Sequence, residues 1–443
     1  MTLKADGNTD KEIYGSLTEA IKADSSEAED WKRLKEIFVN KDLQMISFTI
    51  TEKGYALRNS NGDFFPFIER DIDYGPDKSK SAMAIVCALL YERYKAGRYP
   101  LAVVSMDNCS HNGEKLKNSI VTMTDEWISK GFMPAEFAEY INSEDEVSFP
   151  WSMIDKITPR PAQSVANELQ KSGIDDMNYI VTSKNTYIAP YVNAEAPQYL
   201  VIEDRFPNGR LPLEKAGVYM TDRDTVNKVE RMKVTTCLNP LHTALAVYGC
   251  LLGYNLIADE MRDNDLKRLV EVIGLKEGMP VVTDPVIIKP EDFVNEVLNV
   301  RLPNPYMPDT PQRIATDTSQ KVGIRYGETI KSYVEKYGTA EQLVCIPLAI
   351  AGWCRYLLGI DDNGNKFELS SDPMLDELTE QLVSVEAGQP DSYAGQLADI
   401  LSNEHIFGID LYKAGIGKKI EKMFVELIAG KGAVRDTLRK YLD

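Results

Sequence analysis

The apolar pattern divides the chain into two parts near Thr221. Before this residue, short apolar or β-branched runs such as Gln44–Thr51 and Leu101–Ser105 predict strands. Between them, Ser79–Ala96 has the apolar spacing of an amphipathic helix, which Gly97 ends. After Thr221 the strand-like runs fade and the pattern is almost entirely helical. The sequence therefore predicts an α/β domain built on a doubly wound sheet, followed by a mostly α-helical domain.

The same pattern gives a domain boundary and further elements. We place the boundary near residues 221–228, with an α/β domain at 1–224 and a helical domain at 225–443. Ser25 or Ser26 is predicted to cap the first helix, because a hydroxyl can accept a bond from an unpaired N–H of the first turn. The other predicted elements are edge strands around Thr2–Lys4 and Glu12–Thr18, helices at Glu27–Val39, Gly113–Lys130, 135–143 and Pro161–Gly173, an extended Val147–Ile157 and a strand at Tyr199–Glu203.

Polar side chains precede the most apolar helix of the chain. Ala244–Tyr254 is nonpolar on nearly every side, which predicts a buried helix. Lys233, Asn239 and His242 come just before it or at its start, where their desolvation is costly unless partners or a function offset the cost. A lysine in a dry pocket loses its proton more easily and can exchange it with a hydroxyl. An amide can donate to a polarised carbonyl oxygen, and an imidazole can bond a hydroxyl.

These groups together suit the interconversion of a secondary alcohol and a ketone. Each alone has an ordinary interpretation: a solvated lysine, an Asn-Pro turn and a core histidine whose bonds are satisfied.

The segment V-E-R-M-K-V-T-T-C-L-N-P-L-H resembles the catalytic segment of the mannitol dehydrogenase family, which has a lysine, a Leu-Asn pair and a histidine three residues after the asparagine. Five other blocks resemble the family in the same order. They are Ile50–Tyr55, Ser105–Gly113, Phe149–Pro159, Val201–Arg210 and Asn304–Lys321.

The resemblance implies an NAD(P)-dependent, metal-independent oxidoreductase of sugar alcohols or sugar acids, with a Rossmann-like cofactor domain before a helical substrate domain. It implies a monomer. By position, Lys233 is similar to the general base, Asn239 to the oxyanion donor and His242 to the contact with a substrate hydroxyl. Glu230 matches a carboxylate that helps to move protons to and from the lysine.

Two further groups of contacts follow from the resemblance. The substrate-binding positions are Asp204, Arg313, Lys321 and Trp151. The cofactor-binding positions are Thr51, Asp107, Asn108 and Asn112, all at the ends of predicted strands. The alternatives remain a plain strand exit at Thr51, a surface pair at Glu203–Asp204, a basic helix edge at Arg313–Lys321, and Asp107 or Asn112 as caps of the helix at Gly113–Lys130.

The spacing of the catalytic segment departs from the family by one residue. Asn239 follows Lys233 by six positions, whereas the mannitol enzymes use five. On a regular α-helix, Lys233 and His242 would point about 180° apart, but one residue fewer would bring them within about 80°. We therefore predict a π-bulge or a break between Val234 and Asn239 that absorbs the extra residue.

Trp151 is a second departure, because mannitol-type members have an asparagine at this position of the F-P-x-S-M block. An indole offers one N–H and a large apolar face, so the pocket becomes smaller and stacking becomes available. Together with the altered helix spacing and two pocket cations, this favours a fructuronate/mannonate-type substrate pair over mannitol/fructose.

A third departure concerns the cofactor. The family begins with a strand, a glycine-rich turn and a helix, and no G-x-G-x-x-G follows any predicted strand here. The expectation is therefore either a start upstream of Met1 or impaired dinucleotide binding. The alternative function is a truncated, noncatalytic relative that binds a sugar acid but no dinucleotide.

Composition limits the binding partners and the cellular compartment that we expect for the protein. The net charge of −18 argues against nonspecific binding to nucleic acid or membranes. The N-terminus has no apolar signal region, and the longest apolar runs are too short or interrupted to span a bilayer. The six cysteines show no C-x-x-C pairing and the three histidines are far apart. We expect a cytoplasmic protein with reduced thiols and no metal site.

Overall fold

The computed structural model describes residues 1–182, 185–307 and 309–442. Its strands are short, and all of them lie before Arg223. They are β1 (Thr2–Leu3), β2 (Thr9–Asp10), β3 (Met45–Phe48), β4 (Leu101–Ser105), β5 (Val147–Ser148), β6 (Ser152–Asp155), β7 (Ile180–Val181), β8 (Tyr187–Ile188), β9 (Ala194–Glu195), β10 (Tyr199–Glu203) and β11 (Tyr219–Thr221).

Helices dominate the second half of the chain. The α-helices are α1 (Ala28–Val39), α2 (Pro66–Tyr74), α3 (Ala82–Gly97), α4 (Asn112–Ser129), α5 (Glu136–Asn142), α6 (Gln163–Lys171), α7 (Arg223–Met232), α8 (Asn239–Leu252), α9 (Ile257–Glu260), α10 (Asn264–Glu271), α11 (Pro290–Glu296), α12 (Pro311–Ile314), α13 (Glu328–Tyr337), α14 (Cys345–Tyr356), α15 (Leu375–Gln381), α16 (Ala398–Ser402), α17 (Glu404–Phe407), α18 (Gly417–Leu427) and α19 (Ala433–Leu442). π-Helical turns lie at Lys233–Cys237, Val272–Gly278, Val297–Arg301 and Gly323–Gly327.

The chain forms two compact units. The α/β unit comprises Glu12–Lys156 and Gln198–Glu230, and the helical unit comprises Met1–Lys11, Ile157–Pro197 and Arg231–Asp443.

The helical unit thus includes two segments from the first half of the chain, which the division at residues 221–228 does not anticipate. They join it because β1 pairs with β9, and because Glu195 in β9 forms a buried ion pair with Arg301 at 2.8 Å. Both contacts link residues that are distant in sequence.

Strand β4 is the centre of the α/β unit. It pairs in parallel with β3 on one side and with β5 on the other, and all five of its residues are buried. Leu101 and Val103 face the core formed with α3 and α4. Ala102 and Val104 face Ile202 of the second sheet, in which β10 lies between β6 and β11. Because successive strand residues point to opposite faces, the continuous apolar run L-A-V-V supplies both cores.

Helices α8 and α14 form the core of the helical unit. Both are apolar all round and buried over most of their length. The Tyr248 hydroxyl of α8 donates to the Leu348 carbonyl of α14 at 2.9 Å, so a buried phenol keeps a hydrogen-bond partner. Gly352 allows this approach, because a Cβ there would lie 2.8 Å from the Tyr248 ring.

Most predicted elements are confirmed, and two details are wrong. Glu12–Thr18 forms no strand, since β1 pairs instead with β2 at Thr9–Asp10. Neither Ser25 nor Ser26 caps α1: Ser25 donates to the Ser79 carbonyl and Ser26 to Asp24. Within the described residues, no helix combines the length and apolar character needed to cross a bilayer.

Glu260 is a buried carboxyl beside the core helix α8. Its side chain occupies the space that a Cβ on Gly249 would need, and it is inaccessible to solvent. Neither carboxyl oxygen has a hydrogen-bond partner among the described residues. Burial, with smaller effects from Asp263 and Asp259, raises the pKa of Glu260 to about 10. The carboxyl is therefore protonated at neutral pH in the folded protein.

This predicts that the parent protein loses stability as pH rises and that Glu260→Gln does not show this loss. The folded pKa is above the unfolded one, so the contribution of Glu260 is complete below about pH 4.5 and declines as pH rises towards 10. The stability of Glu260→Gln relative to the parent should rise by about 1 kcal/mol per pH unit between roughly pH 5 and pH 9. Urea unfolding across this range measures the difference. Parallel curves for the two proteins would contradict the prediction.

Candidate active site

Lys233 begins a π-helical turn between α7 and α8. The turn covers Lys233–Cys237, and the Leu238 N–H donates to the Lys233 carbonyl at 3.1 Å. The His242 N–H then donates to the Leu238 carbonyl at 3.0 Å, so the backbone ladder continues into α8. The predicted π-bulge before Asn239 is confirmed. The Lys233 side chain is only 1% exposed, which excludes a solvated surface lysine.

The π turn reduces the angle between the directions in which Lys233 and His242 leave the helix. A π turn contains one more residue than an α turn, so it absorbs one of the nine residue steps from Lys233 to His242. The angle between their directions then falls from about 180° to about 80°. Pro240 lies in the first turn of α8, where a missing N–H does little harm. The extra residue therefore changes the local winding but not the face that carries the two side chains.

His242 is mostly buried beside one carboxylate. Its Nε2 lies 3.5 Å from Asp309 Oδ2, and both side chains are 16% exposed. Nε2 has no hydrogen-bond partner among the described residues. Desolvation lowers the pKa of His242 to about 4, with Asp309 opposing the shift and Arg325 and Arg313 adding to it. The ring is therefore neutral near pH 7 and can bond a hydroxyl.

Asn239 has an amide group that the described protein atoms leave available. It is half-buried at the first position of α8, and no hydrogen bond joins its side chain to the described part of the chain. Its backbone carbonyl accepts a bond from the Thr243 hydroxyl at 2.9 Å, and Tyr326 donates to the neighbouring Pro240 carbonyl at 2.9 Å. These bonds fix the first turn of α8, which limits how far the Asn239 amide can move.

The predicted basic positions differ in environment. Arg313 is 62% exposed and pairs with Asp309 one turn earlier. Lys321 is half-buried and donates to the Thr316 carbonyl at 2.5 Å. Burial and then the charge of Arg325 lower the pKa of Lys321.

In the α/β unit, Asp107 and Asn112 hold the loops after β3 and β4. Asp107 accepts the N–H groups of Ile50 and Thr51 at 2.9 and 2.8 Å. The buried Asn112 amide donates to the Asp107 carbonyl at 3.0 Å and to Ser152 Oγ at 2.9 Å. The alternative that either residue caps α4 is wrong, because no side chain caps this helix.

Thr51 carries backbone strain at this edge of the sheet. Its φ of 63° and ψ of 161° lie in a region that only glycine adopts readily, at a cost of about 1–3 kcal/mol. Asn108, also predicted to bind cofactor, lies in the loop that follows β4.

Trp151 stacks on a second aromatic ring, a contact that its large apolar face allows. Its ring centroid lies 4.5 Å from that of His111, and the Arg223 guanidinium lies 5.6 Å from it. Glu203 fixes the arrangement by accepting the backbone N–H of Trp151 at 3.0 Å and by pairing with Arg223. Gly113 is required here, since a Cβ would lie 2.7 Å from the Trp151 ring.

Two predicted carboxylates have clear partners within the α/β unit. Glu230 accepts a hydrogen bond from Ser110 Oγ. Asp204 forms a two-point ion pair with Arg210, with N–O distances of 2.7 and 2.9 Å. This pairing lowers the pKa of Asp204 and fixes the loop after β10. A substrate contact for Asp204 stays a prediction.

Sequence reasoning missed Asp309, Arg325 and His111 as members of these clusters. Asp309 stands four residues before Arg313, the spacing of an ion pair on one helix face, so this signal was present. His111 and Arg325 gave no comparable signal, because their contacts join residues distant in sequence.

Two family descriptions match the chain. "Mannitol dehydrogenase Rossmann domain" matches residues 8–215, and "Mannitol dehydrogenase C-terminal domain" matches residues 225–427. The chain belongs to the mannitol dehydrogenase family. It is therefore an oxidoreductase of CH–OH donors, with a Rossmann-type N-terminal domain followed by a helical domain.

Similar members of the mannitol dehydrogenase family include D-mannonate oxidoreductase of Thermotoga maritima, 54% identical over 99% of this chain and 81% of that protein. Polyol:NADP oxidoreductase of Gluconobacter oxydans is 30% identical over 86% and 72% of the two chains.

Solved structures of similar proteins include a substrate-free D-sorbitol dehydrogenase, with a TM-score of 0.78 and 25% identity over 100% of this chain and 82% of that one. The ternary complex of Pseudomonas fluorescens mannitol 2-dehydrogenase with NAD and D-mannitol has a TM-score of 0.63 and 27% identity over 94% and 78%.

The described residues of this chain could bind one part of a dinucleotide. The adjoining carboxyl ends of β3 and β4 suit part of such a ligand, because ligands of open α/β sheets bind at the carboxyl ends of strands. Nearby glycines form no phosphate cradle: a Cβ on Gly54 would meet Ile50 at 2.8 Å, and one on Gly113 would meet the Phe149 carbonyl at 2.7 Å. In the residues that the structure describes, no cluster of three or more histidine, cysteine or acidic side chains is placed to hold a metal.

Proposed function

We propose that the protein is an NAD(P)-dependent reductase of an open-chain sugar acid, of the fructuronate/mannonate type, with Lys233 as general acid and base. The observation that supports the proposal is the burial of Lys233 on a π turn. By helix geometry, this turn brings the direction of Lys233 within about 80° of that of His242. The 54% identity to a D-mannonate oxidoreductase supports the sugar-acid substrate. Polyols of the mannitol/fructose type are the second substrate class.

In the reduction, the Lys233 ammonium donates a proton to the carbonyl oxygen of the substrate as that oxygen gains negative charge. The Asn239 amide donates a hydrogen bond to the same oxygen. His242, neutral through desolvation, bonds a neighbouring hydroxyl through Nε2 and fixes the carbon chain. When bound, the reduced nicotinamide supplies the hydride.

The remaining predicted residues have supporting roles in the proposal. Glu230, which is three residues before the lysine and bonded to Ser110, returns a proton to Lys233 after each turnover. Thr51, Asp107, Asn108 and Asn112 shape the nicotinamide end of the cofactor site. Asp204, Arg313, Lys321 and Trp151 contact the substrate.

Steady-state kinetics test this function directly. Rates are measured on D-fructuronate, D-tagaturonate and D-fructose with NADH and NADPH, and on D-mannitol with the oxidised cofactors. A ketouronate should have the highest kcat/KM, and a clear preference for fructose or mannitol would overturn the sugar-acid assignment. NADH fluorescence titration tests cofactor binding separately, with micromolar affinity expected.

Trp151→Asn should shift the preference towards neutral substrates. The smaller amide removes the stack on His111, leaves more room beside that ring and offers a second oxyanion donor. The ratio of kcat/KM for fructose to that for fructuronate should rise about tenfold. Trp151→Phe, which keeps an aromatic ring, is the matched control. An unchanged ratio in Trp151→Asn would show that this residue does not set specificity.

A further inference from the structure

Arg325 differs from the buried arginines of the helical unit in having few partners. Arg301 pairs with Glu195, and Arg355 donates to several backbone carbonyls. Arg325 is half-buried, and in the described part of the chain it donates to Thr243 Oγ1 at 2.5 Å. No carboxylate of these residues lies within ion-pair distance of it. A guanidinium has five N–H donors, so most of its capacity is left for a ligand.

The backbone fixes the direction of Arg325. Gly323 and Gly327 lie against the backbone of α17, where a Cβ on Gly323 would meet the Ile406 carbonyl at 2.6 Å. Arg325 is two residues from each glycine, roughly half a turn away, and therefore points to the opposite side of the π turn. That side faces Thr243, the residue after His242. The two glycines thus let the turn pack tightly while Arg325 reaches the candidate site.

Positive charge accumulates around this position. Lys321 is one turn before Arg325, and the Arg325 N–H donates to the Lys321 carbonyl at 3.0 Å. Burial lowers the pKa of Arg325 to about 10, and the charge of Arg325 in turn lowers the pKa values of Lys321 and His242. Asp309, the carboxylate beside His242, is already bonded to Arg313. A bound anion would reduce the repulsion between these cations.

We propose that Arg325 is the residue that recognises the carboxylate of the substrate, and so selects sugar acids over neutral polyols. The planar guanidinium forks onto the terminal carboxylate through two N–H groups. The bond to Thr243, whose hydroxyl is anchored on the Asn239 carbonyl, sets the fork at a fixed distance from the first turn of α8. This inference deepens the proposed function and rests on it for the identity of the ligand.

The test compares substrates that differ in the carboxylate. Arg325→Gln should lower kcat/KM for D-fructuronate about 100-fold and change that for D-fructose less than about threefold. Arg325→Lys should lose an intermediate amount, about tenfold, because an ammonium keeps the charge but not the fork. Arg268→Gln, at a half-exposed arginine of α10, is the control for a lost surface charge. Equal losses for both substrates, or no loss for fructuronate, would overturn the inference.

Calorimetric titration separates this inference from the proposed function. D-Mannonate should bind the unaltered protein more tightly than D-mannitol, and Arg325→Gln should weaken only mannonate, again about 100-fold. This readout needs no turnover. Absence of any NAD(P)H-dependent reduction would refute the proposed function, whereas equal weakening of both ligands, or equal affinity of the unaltered protein for them, would refute the role of Arg325. Thermal melting of each variant verifies that it is folded.

Discussion

Lys233→Met is expected to lower kcat for ketone reduction by about 10³–10⁴-fold, with KM changed less than threefold. Methionine is similar in length to lysine and apolar, so it fills most of the buried space that the lysine side chain occupies. The loss falls on kcat because the proton is needed only as the carbonyl oxygen gains charge. Steady-state kinetics on D-fructuronate measure both constants.

Two comparisons make this result specific. Lys422→Met, at an exposed lysine of α18, should keep full activity. Lys233→Ala should recover part of its rate when methylamine is added, because a free amine can enter the space and transfer the proton. Activity of Lys233→Met within tenfold of the unaltered enzyme would contradict the role of Lys233 as general acid and base.

Arg301→Met is expected to destabilise the helical unit by about 3–5 kcal/mol. Arg301 is 5% exposed and Glu195 is fully buried, so removing the guanidinium leaves a carboxylate without its charge partner in the interior. Glu195 retains the N–H of Ile157 at 2.7 Å, which offsets only part of the desolvation. Urea unfolding followed by far-ultraviolet circular dichroism measures the change.

A second substitution shows whether the loss of stability in Arg301→Met comes from the charge of Glu195. Arg301→Met combined with Glu195→Met replaces the pair by apolar groups and should recover most of the loss. Arg268→Met breaks a more exposed pair and should cost less than about 1 kcal/mol. A double variant as unstable as the single one would mean that packing, rather than charge, accounts for the effect.

Local patterns of the sequence predicted most of the fold. The apolar run of β4 and the all-round apolar surface of α8 each specify a buried element without knowledge of their partners. The π turn was predictable for a different reason. With one residue more than the family spacing and about 100° per residue, a regular helix would point Lys233 and His242 in opposite directions, and a wider turn avoids this.

Tertiary contacts limited what the sequence could predict. The assignment of Ile157–Pro197 to the helical unit depends on the pair between Glu195 and Arg301, which are 106 residues apart. The incomplete pairing of Arg325 is visible only once the position of Thr243 is known. Likewise, the sequence indicated that Trp151 could stack but could not identify His111 as its partner. Such contacts have no periodicity in the sequence.

The π turn at Lys233–Cys237 has a consequence for how enzymes of this kind diversify. A residue inserted into a buried α-helix rotates everything beyond it by about 100° and would turn the apolar side of α8 out of the core. Here the widened turn confines the insertion to five residues, and the following helix remains buried. A residue can therefore be gained or lost at this turn without compensating substitutions in the core behind it.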